Sequence, residues 1–446
     1  MARTVVQADV VVIGGGPGGY TAAARTAQGN LKTVLVEAEN LGGMCLNAGC
    51  IPTKTLLHTA NLLADIHESG AFGVHLDGTA YVDFASVLQR KDALIQKLRD
   101  GVGYQMARRG VQVLKGWAYW EDAHTLLVGD TLLQAQHVII ATGSSHIIPP
   151  FTGSSHVLTL SALLAQTELP KRLAIMGITP IGLGVATIYA LLGCEVTLLD
   201  TQPNGLDGFD AELVELMLQQ MPPVTIKHGV DVRSYAGDTL TLSNGESLTV
   251  ERVVYAGART PRLEGLGLEH IGLDVSAGKI AVDERMRTAI PNLYAIGDVT
   301  ALSMWAHSAQ RMGEVVANTI LGRADRFRME YIPRIIYSRP QLACVGMTEH
   351  EAHAQGIPTR TAKLPLQHNG RFLTDYSPQI RGLCKVVIHA NTQQVLGVHL
   401  VGGNASEWIN GAVAMLEDEF RAQDVRELVL IHPTITEAIR DVFFEV

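Results

Sequence analysis

The chain has 446 residues, of which 47% are hydrophobic and 18% charged, with 44 glycines, 5 cysteines and a formal net charge of −9. This length suffices for roughly two to four domains with ample core, and the negative balance gives no electrostatic case for nucleic acid or an anionic membrane. No stretch approaches the roughly 20 uninterrupted apolar residues of a membrane span. Residues 1–9 run straight into an apolar strand without a signal core, so a soluble cytoplasmic protein is expected. Five cysteines are too few, and odd in number, for a structural disulfide framework.

In chain order, the first predicted element is the strand Val10-Val11-Val12-Ile13, which runs into Gly14-Gly15-Gly16-Pro17-Gly18-Gly19, an Ala-rich helix and a second strand ending at Glu37. Glycines at 14, 16 and 19 let the backbone turn tightly and approach a pyrophosphate at a helix N-terminus, and Glu37 is placed for a ribose hydroxyl. A few residues on come Cys45 and Cys50, in Gly42-Gly43-Met44-Cys45-Leu46-Asn47-Ala48-Gly49-Cys50-Ile51-Pro52-Thr53-Lys54. The pair reads either as a redox disulfide beside a flavin or as two reduced cysteines buried near a cofactor. In a regular helix residues five apart rise about 7.5 Å, beyond the usual disulfide range, so bonding demands a distorted turn, for which Gly49 supplies freedom. No partnering cysteine pair or HxxxH spacing suggests a metal.

A helical stretch over 83–109 and short strands turning near Gly129-Asp130 follow. The opening pattern then repeats: Gly177 to Asp200, like Gly14 to Glu37, joins a glycine turn through a helix to an acid-tipped strand. Asn244-Gly245 marks a hairpin, and the last 118 residues, 329–446, read as strands followed by helices. Cys194, Cys344 and Cys384 sit in apolar strings and are expected to be inert core residues.

The motif around Cys45 and Cys50 resembles the most specific signature of the flavoprotein disulfide reductases, and within them the dihydrolipoamide dehydrogenases. Ala141-Thr142-Gly143, Tyr294-Ala295-Ile296-Gly297-Asp298, Val398-His399-Leu400-Val401-Gly402-Gly403 and His432-Pro433-Thr434-Ile435-Thr436-Glu437 extend the likeness along nearly the whole chain. The resemblance implies an α/β fold with two Rossmann-like nucleotide-binding domains, for FAD and NAD, and a C-terminal α+β dimerisation domain. The expected division is 1–146 (FAD domain, first part), 147–257 (NAD domain), 258–328 (FAD domain, second part) and 329–446 (interface domain).

By that resemblance Cys50 is the flavin-side sulfur, Cys45 the sulfur that exchanges with a dithiol, and His432 the base, oriented by Glu437. The FAD contacts are Gly14, Gly16, Gly19, Glu37, Gly42, Lys54, Gly116, Ala118, Thr142, Gly143, Asp298, Ala306 and His307. The NAD contacts are Gly177, Gly182, Asp200 and Arg259. His432 is implied to reach the cysteines of the other subunit, making a homodimer with two composite sites.

The sequence also departs from the family pattern. Thr179 replaces the middle glycine of the second nucleotide motif, where its β-carbon is expected to hinder a pyrophosphate, and Pro180 replaces a bulky residue. Gly184 stands where the family has an acid that pairs with the Lys54 position, and Leu430 replaces the first His of His-x-His-Pro. Asp200 followed by Thr201-Gln202, with no arginines, favours NAD over NADP.

The expected activity is FAD-dependent oxidation of a protein-bound dihydrolipoyl group with NAD+ as acceptor. The implied partner is a lipoyl-carrying protein of a 2-oxo acid dehydrogenase or glycine cleavage complex. The alternatives are an NAD(P)H-dependent reductase of glutathione or another small disulfide, and a paralogue with a degraded NAD site acting as a binding or assembly subunit.

Overall fold

The computed structural model describes residues 3–202 and 206–446. The chain divides into two compact units, 1–55 with 85–147 and 258–329, and 56–84 with 148–257 and 330–446.

In the first unit the fully buried run Val10-Val11-Val12 forms the centre of a mixed sheet. Strand Thr4–Ile13 lies between Thr33–Glu37 and Thr131–Ile140, parallel to both, and Gln112–Lys115 extends the sheet beyond Thr33–Glu37. Burial on both faces suits a parallel strand and accounts for its unbroken apolar sequence. Leu293–Ala295 also runs parallel to Thr131–Ile140, so residues nearly 300 apart in the chain complete one core. Thr131–Ile140 forms an antiparallel meander with Thr125–Val128 and Ala118–Asp122, and the predicted turn at Gly129-Asp130 joins the first two of these. The expected helix over 83–109 is Phe84–Arg108. Helix Pro17–Gln28 packs against Ala306–Ile320 through small residues, and a β-carbon on Gly313 would come within 2.6 Å of the Gly18 carbonyl oxygen.

The second unit carries the repeat of this pattern: Thr225–His228, Glu195–Asp200, Arg172–Met176, Arg252–Tyr255 and Leu158–Thr159 form one parallel sheet. The Asn244-Gly245 hairpin joins Thr239–Leu242 to Ser247–Thr249, with Gly245 at φ 88°. From 330 onward a five-stranded antiparallel sheet is followed by helices, as expected for an α+β domain, around its own apolar core. Cys344 and Cys384 are fully buried in this part of the chain, and Cys194 is buried in the nucleotide fold. Burial pushes all three thiols up, Cys194 to about 11, and this makes them poor nucleophiles.

One polar row crosses that antiparallel sheet: Arg334, Cys344, His399, Lys385 and Lys363 are successive cross-strand neighbours. Lys385 is buried and bonds Asp210 at 2.7 Å and Glu349 at 3.1 Å, which joins the sheet to the N-cap of helix Ala211–Leu218. Removing one member of a buried ion pair strands the other, at a cost of about 3–5 kcal/mol. Lys385→Met is therefore expected to lower the urea midpoint of unfolding sharply; Lys385→Met with Asp210→Asn should recover part of the loss, and an unchanged midpoint in the single variant would refute this account.

Candidate functional site

The first glycine turn is shaped for a dinucleotide. Gly14 has φ 108°, and a β-carbon there or at Gly19 would collide with backbone, the Ala141 carbonyl in one case and that of Gly14 in the other. Gly16 caps helix Pro17–Gln28 without a side-chain bond, which leaves the helix N-terminus to an anion. The Glu37 carboxylate accepts the N–H groups of Gly15 and Glu39, both at 2.7 Å, and this pins the acid at the edge of the turn. Gly42 donates to the Gly15 carbonyl oxygen at 2.8 Å, and a β-carbon on Gly43 would stand 2.6 Å from the Gly16 α-carbon. The cysteine turn thus lies directly on the pyrophosphate turn. These residues fit FAD.

The second glycine turn repeats the acid: Asp200 accepts from Ile178 N–H at 2.7 Å and from Gln202 N–H at 2.8 Å. Gly177, at φ 115°, and Gly182 again stand where a β-carbon would strike backbone, so the turn has the shape for a nucleotide. Thr179 alters its chemistry. As N-cap of helix Pro180–Leu191, its hydroxyl accepts the Gly182 N–H at 3.0 Å and donates to the Ala256 carbonyl at 2.7 Å. A donor at the anion-binding end is therefore already engaged, so the hydroxyl, besides the β-carbon, matters here.

We expect Thr179→Gly to tighten NADH by about 2- to 10-fold, the worth of one freed hydrogen bond, with little loss of stability because Thr→Gly at an N-cap costs only a few tenths of a kcal/mol. Isothermal titration with NADH checks this, and unchanged affinity would show the cap to be irrelevant. Gly184→Glu is a less clean test, since its β-carbon would meet the Tyr337 carbonyl oxygen at 3.3 Å.

The two cysteines sit on either side of a helix break. Helix Gly43–Ala48 ends at Gly49, whose φ −132° and ψ −97° are not helical, and Cys50 begins helix Cys50–Glu68. The helix therefore breaks at Gly49, the residue expected to supply freedom if the two cysteines bond, although the thiols here are unbonded. Both cysteines are free thiols, Cys45 half-buried and Cys50 exposed. The hydrogen bond between them lowers Cys50 and raises Cys45; burial adds to the rise, while Lys54 and Arg259 help to lower Cys50. The Lys54 ammonium is itself pushed down to about 8 by burial. Burial works against the lowering of Cys50, and the nearby cations of Lys54 and Arg259 favour a thiolate there. Asn47 fixes the turn by donating to the carbonyls of Leu41 at 3.0 Å and Gly43 at 2.9 Å, while its own oxygen accepts from Arg99 at 2.7 Å.

Arg259, expected to contact NAD, is engaged by protein groups. It belongs to the first unit, and its guanidinium pairs with Asp298 at 3.0 Å and donates to the Met304 carbonyl at 2.6 Å. The short strand Arg259–Pro261 pairs with Ser144–His146, which fixes its direction. Asp298, the acid expected to hold the ribityl chain, also accepts from the Ser144 hydroxyl at 2.6 Å. Ala306 and His307 begin helix Ala306–Ile320, with His307 stacked on Trp305. Thr142 donates its hydroxyl to the Arg262 carbonyl at 2.8 Å, and Gly143 follows at φ 75°. Gly116, at φ 152°, and Ala118 lie where the meander begins.

In the second unit His432 Nδ1 lies 3.1 and 3.2 Å from the two Glu437 oxygens. The Glu437 carboxylate is buried and accepts the Thr434 N–H at 2.9 Å; that bond, then the one from His432 and the positive charge of the nearby Arg440, hold it below the usual carboxylate range. It stays charged at neutral pH and orients the imidazole, whose side chain is 82% exposed and so open to another molecule. Val429 and Ile431 beside it are also highly exposed.

A paired-thiol turn on a dinucleotide cradle, followed by a second nucleotide fold, defines a flavin-dependent disulfide oxidoreductase. Residues 8–313 match the pyridine nucleotide-disulphide oxidoreductase family and residues 332–443 its dimerisation domain, and the chain belongs to this family. The chain is 36% identical to the dihydrolipoyl dehydrogenase of Thermus scotoductus, with 97% of this chain and 96% of the relative covered. The fold matches the crystal structure of LpdA from Mycobacterium tuberculosis with a TM-score of 0.90, at 24% identity over 99% of each chain. It also matches the HOCl-induced flavoprotein disulfide reductase RclA of Escherichia coli with a TM-score of 0.86, at 27% identity over 98% of this chain and 100% of the other. FAD and NAD are the cofactors of this family, and the dimerisation domain supports a homodimer. Among the described residues no helix is long and apolar enough to cross a membrane, and no group of His, Cys, Asp and Glu could hold a metal ion.

Proposed function

We propose that the protein oxidises a protein-bound dihydrolipoyl group to lipoyl, passing the electrons to NAD+. The observation that carries this is a two-cysteine turn, broken at Gly49 and set against the first glycine turn, together with an exposed, carboxylate-oriented histidine elsewhere on the chain. His432 of the partner subunit takes the proton from the first dithiol sulfur. The resulting thiolate attacks Cys45 in the Cys45–Cys50 disulfide, and Cys50 leaves as thiolate. The second substrate thiol then attacks the first substrate sulfur and displaces Cys45, which takes up that thiol's proton; the lipoyl disulfide closes, with Cys45 left as a thiol and Cys50 as a thiolate. Lys54 and Arg259 favour the negative charge that collects on Cys50. Bound FAD supplies the two-electron relay from the thiols to NAD+. Glu37 and Asp200 would hold the two adenosine halves, and Asp298 the ribityl chain.

The partner is the swinging lipoyl domain of a 2-oxo acid dehydrogenase or glycine cleavage complex. Leu430 beside the exposed Ile431, in place of the His-x-His-Pro pattern, supports a second reading, reduction of glutathione or another small disulfide. Assays of the purified holoenzyme with dihydrolipoamide plus NAD+, and with oxidised glutathione plus NADH or NADPH, separate the two. The lipoyl reading requires dihydrolipoamide to be turned over well and glutathione poorly; the reverse order would establish the second.

A further inference from the structure

Arg259 connects three segments that are distant in sequence. One guanidinium nitrogen pairs with Asp298 and donates to the Met304 carbonyl, and the other lies 3.9 Å from the Met44 sulfur, next to Cys45. Its side chain is 15% exposed. A guanidinium so enclosed is held by its partners in one orientation, where a surface arginine would sample many. Met44 belongs to the cysteine turn, Asp298 follows strand Leu293–Ala295, and Met304 leads into the helix that starts at Ala306. All three segments carry residues expected to line the flavin.

We propose that Arg259 is a positioning residue of the redox step, a clamp that fixes the Cys45–Cys50 turn against Asp298 and keeps a positive charge beside the flavin-side sulfur. This rests on the reading of Cys50 as that sulfur. The charged and titratable groups around Cys50 are Cys45 on the preceding helix, Lys54 on its own helix, Tyr20 on helix Pro17–Gln28 and Arg259, which is backed by Asp298. Removing Arg259 withdraws a positive charge and also uncovers the negative charge of Asp298. Both effects disfavour a thiolate at Cys50, so the sign of the change is fixed.

The test is iodoacetamide alkylation of the dithiothreitol-reduced holoenzyme over a pH series, with labelling of Cys45 and Cys50 mapped separately by peptide mass spectrometry. In Arg259→Gln, which keeps a donor but loses the charge, the Cys50 midpoint should rise by about one pH unit. Arg259→Lys keeps the charge but cannot reach Met44, Asp298 and Met304 together. Its midpoint should stay near that of the wild type while hydrogen exchange of the amides at 43–49 accelerates.

An unchanged Cys50 midpoint in folded, FAD-loaded Arg259→Gln would overturn the electrostatic role, and wild-type exchange in Arg259→Lys would overturn the clamp. If Arg259→Gln does not fold, the exchange measurement on the lysine variant decides the proposal. None of these readouts uses a lipoyl substrate. Failure of the lipoyl assignment would appear as an inactive wild type with dihydrolipoamide, with the Cys50 shift intact.

Discussion

Cys45→Ser is expected to abolish dithiol exchange while leaving the flavin bound and a free thiolate at Cys50. A serine hydroxyl cannot form a mixed disulfide with an incoming dithiol, so substrate oxidation should fall to background. Losing Cys45 also removes the thiol whose hydrogen bond contributes most to lowering Cys50, but Lys54 and Arg259 remain to favour the thiolate. The variant should therefore show the long-wavelength absorption of a thiolate beside the flavin without any reductant. Cys50→Ser should be yellow and lack that band even after two-electron reduction. Spectra of the two variants check the assignment: a band of full strength in Cys50→Ser would exchange the roles of the two sulfurs.

His432→Gln should lower dihydrolipoamide oxidation by at least the roughly 100-fold typical of losing a general base, with FAD content and flavin reduction by NADH preserved. The Glu437 carboxylate holds the imidazole at 3.1 Å and is itself fixed by the Thr434 N–H. Glu437→Gln should therefore lower the same step by disordering His432, but by less than removing the base. Mixed dimers of His432→Gln and Cys45→Ser subunits contain one site with both groups intact. Partial recovery of activity on subunit exchange is the expected result, and none, despite proven exchange, would contradict a shared site.

The parts of this site that a sequence discloses are those where the backbone leaves no choice. Gly14 and Gly19 are glycine because a β-carbon would strike a carbonyl, and their repeat at Gly177 and Gly182 obeys the same geometry. Helix rise and disulfide reach require a distorted turn only for a bonded Cys45–Cys50 pair, and the structure breaks the helix at Gly49 even with both thiols free. The arginine contacts were not legible. The resemblance implies a role for Arg259 toward NAD but says nothing of Met44, and only tertiary packing brings the two together, 215 residues apart in sequence. The Arg99 bond to Asn47 and the Ser144 bond to Asp298 are equally non-local. Thr179 is half legible: its β-carbon marks an obstacle to close approach, and a threonine before Pro180 also marks a helix N-cap.

The most direct test of the central claim is an anaerobic stopped-flow experiment in which the oxidised holoenzyme meets dihydrolipoamide and then NAD+. The account predicts rapid two-electron reduction with a long-wavelength band that is absent in Cys50→Ser, slowed about 100-fold or more in His432→Gln, and discharged by NAD+ as NADH forms. A holoenzyme that dihydrolipoamide leaves oxidised, but that NADH reduces and a small disulfide reoxidises, would contradict it.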